Sequence, residues 1–297
     1  MVNLQLDWQQ STVLTAALVL GGLAARRERR TAGAAPYLHE SAIIAALYTL
    51  WQVAGSVTLF GTSGALARGR WIEHAQRDLL LPDERDLQRL ILHHSLLAQL
   101  CNLYYASMHF GVLGIFLLWL FVRHRDRYAY YRNVLAVSTA ICLLISFLPV
   151  APPRLLPELG FVDVAAEYGQ SVYDQSVITV DALAAMPSVH VLWAVLVGWA
   201  VVKVGHSRYR WIALAHPVVT VFVVVATGNH FWLDGIVAVL VLLATVAAGS
   251  ALMRMDHRDA RRSGVRHRSE GIRRLVEADV PRDEARRIKQ TASDLIE

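Results

Sequence analysis

The chain alternates long apolar runs with short polar connections. Seven runs are close to the ~20 residues that a helix needs to cross a bilayer core. They cover residues 10–25, 41–62, 100–122, 133–150, 187–204, 211–228 and 233–253. The first run is short, and the second contains Gln52, Gly55 and Ser56. The pattern predicts an all-α, polytopic membrane protein with about seven transmembrane helices.

The polar segments define the predicted domains. Residues 1–255 form a membrane domain with its core at about 100–253, and residues 256–297 form a charged tail. Segment 64–99 mixes apolar and charged residues, which predicts helices on the membrane surface. A soluble cap over the membrane domain is the alternative. The tail is predicted as a weak amphipathic helix on anionic lipid or as a solvated segment.

Loop charges predict the orientation. Lys and Arg cluster after the first, third and fifth apolar runs and in the tail. By the positive-inside rule these segments face the cytoplasm. The N-terminus and the other connections then lie outside, including residues 151–186, where Arg154 is the single Lys or Arg. We therefore expect a multi-pass protein of the plasma membrane with an extracytoplasmic N-terminus and a cytoplasmic tail.

The amino-acid composition indicates which kind of molecule the protein binds. The chain has 297 residues, of which 55% are hydrophobic, and a net charge of +5. Its basic residues lie at the edges of apolar runs and in the tail rather than on one face, so nucleic acid is not an expected partner. The two cysteines, Cys101 and Cys142, lie in or beside apolar runs, which argues against a disulfide framework. The expected partners are the bilayer and a lipid substrate.

Two histidines and one carboxylate are the strongest candidates for chemistry. His230 and Asp234 are four residues apart, so on a helix they share a face. A carboxylate there accepts the Nδ1 proton and leaves Nε2 as a lone pair, as a nucleophilic histidine requires. A structural pair is the alternative. Because the turn at 203–210 brings two helices back on themselves, His190 and His230 are expected at one membrane surface.

The helix start at His190 predicts an anion site. Pro187 suits the first position of a helix. The free N–H groups of Ser188, Val189 and His190 would then face a ligand at the positive end of the helix dipole. Ser188 adds a hydroxyl donor. A phosphate bound there has His190 as proton donor and His230 as attacker, which predicts phosphoryl transfer without a metal or other cofactor.

Further polar residues are candidates for substrate contacts. Arg154 suits bidentate binding of a phosphate, with a headgroup anchor as the alternative. Asn102, Tyr105 and His109 lie at helical spacing in the third apolar run. A polar stripe in a span lines a cavity or mediates hydrogen bonds between helices. The stripe therefore predicts either a substrate path or helix packing.

The motifs resemble those of a known family. Met-Pro-Ser-Val-His at 186–190 resembles the Pro-Ser-Gly-His motif of the membrane type-2 phosphatidic acid phosphatase (PAP2) superfamily. Asn-His-Phe-Trp-Leu-Asp at 229–234 resembles its His-x-x-x-Asp motif. With Ala-Pro-Pro-Arg at 151–154, the set is most similar to the branch of inositol phosphorylceramide synthase, the aureobasidin-resistance protein, and its bacterial relatives. The likeness covers about residues 100–250.

The resemblance implies a fold and a set of roles. It implies a six-helix core with an active site outside the cell. His230 would be the nucleophile that forms a phosphohistidine, Asp234 would orient it, and His190 would be the acid for the leaving group. The candidate phosphate-binding residues are Arg154, Ser188 and Asn229.

The chain also departs from the superfamily pattern. Phe147 stands where the first motif has Lys, Leu155 follows Arg154 in place of Pro, and Val223 and Val224 replace Ser-Arg. Sphingolipid-synthase-like members tolerate this loss of cations. We therefore expect a phosphotransferase or phosphatase acting on a phospholipid or on a polyprenyl or inositol-lipid phosphate. The alternatives are a simple phosphatase that releases inorganic phosphate and, in another class, a lipid transporter or flippase, which would need broken helices and midplane charges.

Overall fold

The computed structural model describes residues 6–56, 63–170 and 181–251. Regular structure in these residues is helical, apart from one isolated β-bridge between Val150 and Ala184. The predicted all-α class is therefore confirmed. The described residues up to 245 form one compact unit, and the described residues of a second unit, 246–251, are helical. The tail, with its two predicted states, lies outside the described residues, and the boundary at 255 stays a prediction.

The helices follow the apolar runs. They are α1 Trp8–Arg27, α2 Ala35–Ser56, α3 Ala65–Asp78, α4 Glu84–Leu92, α5 Ser95–Arg123, α6 Arg125–Ser146, α7 Val164–Glu167, α8 Val189–Val204, α9 Ala215–Ala226 and α10 Trp232–Ala251. A 3-10 helix, Arg208–Leu214, leads into α9. The fourth run differs most from its helix. Helix α6 starts well before residue 133 because Tyr128 and Tyr131 are already buried at helical spacing, and it ends before Pro149, which restricts the residue that precedes it.

The outward faces of the long helices are apolar. Within the described part of the chain, α5, α6, segment Arg208–Ala226 and α10 are long and apolar enough to cross a membrane, and α8 is a shorter apolar helix. Large side chains on these helices are exposed, for example Ile115 at 71% and Val218 at 69%. A water-soluble surface rarely presents such continuous apolar area. The fold is that of a membrane protein, and the count of seven spans stays a prediction.

Helix α8 packs against α5, α6 and α9, and α1 packs against α2. Polar side chains join these helices. The indole Nε1 of Trp193 on α8 donates to Thr139 Oγ1 on α6 at 2.9 Å. Tyr104 on α5 lies within hydrogen-bond distance of His216 and Thr220 on the α9 side, at 2.8 and 2.9 Å. These polar side chains thus have partners in a neighbouring helix, which is a common way of joining spans in lipid.

Segment 64–99 contains two helices, α3 and α4. The first follows Gly64, whose φ of +79° is the left-handed conformation that glycine favours. The second is capped by Asp83, which accepts from the backbone N–H of Arg85 at 3.0 Å. Helix α3 comes close to the segment that leads to the candidate site, because a Cβ on Gly69 would lie 2.6 Å from the Ala151 carbonyl oxygen. On which side of a membrane these helices lie stays a prediction.

Candidate active site

His230 lies in the turn between α9 and α10. The backbone N–H groups of Asn229 and His230 both donate to the Val224 carbonyl at 3.0 Å. Gly228 in the same turn has a φ of +70°. Helix α10 begins only at Trp232. His230 therefore lies just before the helix rather than on it, whereas its side chain still meets that of Asp234, as its spacing in the sequence predicts.

A backbone carbonyl holds the His230 ring. Its Nδ1 lies 2.7 Å from the Ala185 carbonyl oxygen and 3.4 Å from Asp234 Oδ2. A carbonyl oxygen only accepts, so Nδ1 carries the proton and Nε2 of the neutral ring is a lone pair. Nε2 is buried and has no hydrogen-bond partner among the described residues. In the neutral form of this ring, Nε2 is thus the nitrogen with a lone pair for a ligand.

Asp234 contacts both the start of α10 and the ring of His230. Its Oδ2 accepts from the backbone N–H of Phe231 at 2.8 Å, as the third residue of a helix does in a capping box. The carboxylate is fully buried, and within the described structure its Oδ1 has no partner. Its negative charge lies beside the Nδ1 of His230. The carboxylate therefore stabilises any positive charge that forms on this ring.

The start of α8 differs from the predicted anion site. The helix begins at Val189, and Ser188 caps it by accepting from the Val191 N–H at 3.4 Å. Pro187 therefore precedes the cap instead of starting the helix. The Ser188 N–H is also occupied, because it donates to the Asp234 carbonyl at 3.1 Å. Among the described residues, the N–H groups of Val189 and His190 have no acceptor, so two amides rather than three remain for an anion.

Three rings surround the imidazole of His190. Its centroid lies 5.5 Å from that of His230. Tyr105 stacks on it at 4.5 Å, and His109 meets it edge-on at 4.4 Å. In the described part of the chain, the ring nitrogens of His190 have no hydrogen bond. Unlike in His230, no hydrogen bond to a described residue fixes which ring nitrogen of His190 carries a proton.

Arg154 is buried next to the turn that carries His230, with 7% of its surface exposed. Its backbone N–H donates to the Gly228 carbonyl at 2.9 Å. Its Nε donates to Asn229 Oδ1 at 3.0 Å, and its Nη1 donates to Asp163 Oδ2 at 3.2 Å. The amide of Asn229 in turn donates to Thr227 Oγ1 at 2.9 Å. Asn229 therefore holds the guanidinium next to the histidine turn.

The predicted stripe on α5 divides into two groups. Tyr105 and His109 contact His190. Asn102 does not, since its amide donates to the Val164 carbonyl at 3.3 Å and to Gln170 Oε1 at 3.0 Å. Asn102 thus joins α5 to the connection that follows Arg154, and only the other two residues are placed at the candidate site.

Sequence reasoning missed the buried polar residues of α4. Glu84 Oε1 accepts from the Trp232 N–H, the first of α10, at 3.2 Å. Burial is the main cause that raises the pKa of Glu84 above 4.5. The amide of Gln88 exchanges two hydrogen bonds of 2.9 Å with the backbone of Val162. A signal existed, because Glu84 and Gln88 lie four apart, and so on one face, with apolar Leu87 and Ile91 beside them in sequence.

The departures from the superfamily pattern have structural counterparts. Val223 and Val224 are buried in the apolar core, so side-chain packing occupies the place of the Ser-Arg pair. Asp163, which sequence reasoning also missed, is the carboxylate that pairs with Arg154. In the described ranges, no three residues of the types His, Cys, Asp and Glu form a group that could hold a metal ion.

Comparison with known proteins identifies the family. The family model described as PAP2 superfamily matches residues 70–248, which include all nine candidate site residues. No curated protein and no solved structure gives a match. The matched region is more than half of the chain and contains both histidine motifs. The chain therefore belongs to the PAP2 superfamily.

Proposed function

We propose that the protein transfers a phosphoryl or phosphodiester group of a membrane lipid through a phosphohistidine at His230, without a metal ion. The observation that carries this proposal is the buried Nε2 of His230, which has no partner among the described residues, with the ring of His190 5.5 Å away, centroid to centroid. Membership of the PAP2 superfamily supports phosphatase or phosphotransferase chemistry.

In the first half-reaction, Nε2 of His230 forms a bond to phosphorus, and the bond from phosphorus to the lipid oxygen breaks. His190 gives its proton to that oxygen. The phosphorylated imidazole is cationic, and the Asp234 carboxylate next to Nδ1 stabilises it. In the second half-reaction, water or an alcohol gives a proton to His190 and attacks phosphorus, and the N–P bond breaks.

The phosphate oxygens need donors. The N–H groups of Val189 and His190 lie at the positive end of α8 and suit one oxygen. Arg154 supplies a guanidinium oriented by Asn229. Ser188 acts by capping the helix rather than by touching the substrate. We assign Arg154 and the two amides to phosphate binding and Asn229 and Ser188 to their orientation.

The proposed substrate is a phospholipid or a polyprenyl or inositol-lipid phosphate. The likeness of the motifs to the inositol phosphorylceramide synthase branch supports an alcohol as the acceptor. If water is the acceptor, the protein is a lipid phosphate phosphatase. The charges of the connecting segments support a site on the outer face of the plasma membrane.

The test is turnover by the purified protein with His230→Ala. We expect a loss of at least about 10³-fold, because no other group replaces the nucleophile. His74→Ala is the matched control, since His74 is exposed on α3. Thermal unfolding in detergent checks that both variants are folded. Wild-type activity in the His230 variant contradicts the assignment, and loss of wild-type turnover in excess chelator contradicts the metal-independent mechanism.

A product assay determines whether the acceptor is water or an alcohol. The protein is given an inositol-containing donor phospholipid with and without a lipid alcohol, and the products are separated by chromatography. A phosphorylated alcohol supports the transferase. Inositol phosphate as the single phosphorus product, formed when water takes the place of the lipid alcohol, contradicts the transferase and supports hydrolysis.

A further inference from the structure

Tyr105 and His109 lie one turn apart on α5, so they present their rings on the same face. The Nδ1–H of His109 donates to the Tyr105 carbonyl at 3.0 Å, which fixes the orientation of the His109 ring. On its other side, the ring of His109 lies 4.1 Å from Phe110 and 6.1 Å from Trp193, centroid to centroid. The two side chains form a rigid surface in the interface between α5 and α8.

His190 lies against this surface. Tyr105 covers one face of its imidazole, with the ring planes 26° apart, and His109 meets it with the planes 67° apart. Stacked and edge-on contacts at such distances are the favourable aromatic arrangements. In the described structure, no hydrogen bond orients the imidazole. The contacts with Tyr105 and His109 therefore decide where its nitrogens lie relative to His230.

We infer that Tyr105 and His109 are positioning residues for proton transfer: they hold the imidazole of His190 where it can protonate the leaving oxygen. The inference rests on the proposed function, since it needs His190 to be the acid. Neither residue is required to touch the substrate. This role differs from both interpretations of the polar stripe, a substrate path and helix packing.

The chemistry of the leaving group makes this role measurable. An alkoxide of a lipid alcohol is a poor leaving group and needs a proton as the P–O bond breaks. A nitrophenolate leaves without one. A residue that acts through the proton donor is therefore important for an alkyl ester and unimportant for a nitrophenyl ester. A residue that only stabilises the fold lowers the turnover of both esters equally.

The experiment compares two lipid-tailed phosphate esters, one alkyl and one 4-nitrophenyl, in variants of the full chain. His190→Ala calibrates the assay and is expected to lose about 10²–10⁴-fold on the alkyl ester and much less on the aryl ester. Tyr105→Leu and His109→Leu are expected to follow the same pattern. Each variant should lose about tenfold or more on the alkyl ester and less than about threefold on the aryl ester. Tyr105→Phe keeps the stacked ring and should restore most of the alkyl turnover. Tyr104→Leu, which contacts α9 instead, is the matched control and should affect both esters alike.

The outcomes are distinct. Equal losses on both esters in Tyr105→Leu and His109→Leu overturn the inference, as does a Tyr105→Phe variant as slow as Tyr105→Leu. If His190→Ala lacks the leaving-group pattern, or His230→Ala stays active, the proposed function itself fails. If those two behave as expected and the α5 variants do not follow, only the positioning role fails.

Discussion

The substitution Gly228→Ala tests whether the turn that carries His230 must keep its conformation. The residue has a φ of +70°, where a side chain is strained by about 1–2 kcal/mol. A Cβ there would lie 2.9 Å from Gln88 Nε2 and 3.4 Å from the backbone N of Arg154. The Gln88 amide cannot easily yield, because two hydrogen bonds hold it to Val162. Gly228→Ala thus adds a steric cost of about 1 kcal/mol or more to the backbone strain.

Gly169→Ala is the matched control. Gly169 has a φ of +61°, but a Cβ there would have no described residue within 4 Å. It should lose about 1–2 kcal/mol from backbone strain alone, with unchanged turnover. Gly228→Ala should be less stable than this control and should lose about 10- to 100-fold in turnover, because its turn shifts the attacking nitrogen by a fraction of an ångström.

The assay combines thermal unfolding in detergent with turnover of a lipid phosphate. About 1 kcal/mol corresponds to a shift of roughly 2–4 °C in a chain of this size range. Equal stability of Gly228→Ala and Gly169→Ala would show that the Gln88 contact relaxes freely. Full turnover in Gly228→Ala would refute the claim that this turn positions the nucleophile.

Three further predictions concern charge and topology. Because burial raises the pKa of Glu84, the stabilising contribution of this side chain is greatest below about pH 4.5 and is lost as pH rises through the pKa of the folded state. The melting temperatures of the wild type and of Glu84→Gln should therefore be equal near pH 4.5. At higher pH, the wild type should melt at a lower temperature than Glu84→Gln. Arg154→Lys should lower kcat/KM by about tenfold or more, since an ammonium cannot keep the bonds of the planar guanidinium to both Asn229 and Asp163. Unchanged kinetics would exclude Arg154 as a phosphate-binding residue. Glu158→Cys should react with an impermeant maleimide on intact cells, and Asp126→Cys should react only after permeabilisation. The reverse result would invert the predicted topology. The two native thiols are buried and should give little background labelling.

The sequence alone determined the helices and the residue types of the site. An apolar run near bilayer length must satisfy its own backbone hydrogen bonds in lipid, so it becomes a helix whatever surrounds it. The two histidine motifs are visible for a similar local reason, since titratable groups are rare in such runs. Arg154 is visible because residues 151–186 contain no other Lys or Arg. The start of α8 was misplaced by two residues because Ser188, rather than Pro187, defines the helix end.

The contacts that hold these groups depend on the packing of segments that are distant in sequence. The main partner of His230 is the carbonyl of Ala185, 45 residues away, and a backbone carbonyl has no side chain to mark it in a sequence. The same holds for the rings that enclose His190 and for Glu84, which caps α10 from α4. Local spacing determines which residues share a face, whereas the groups that meet that face come from distant segments and depend on how the helices pack.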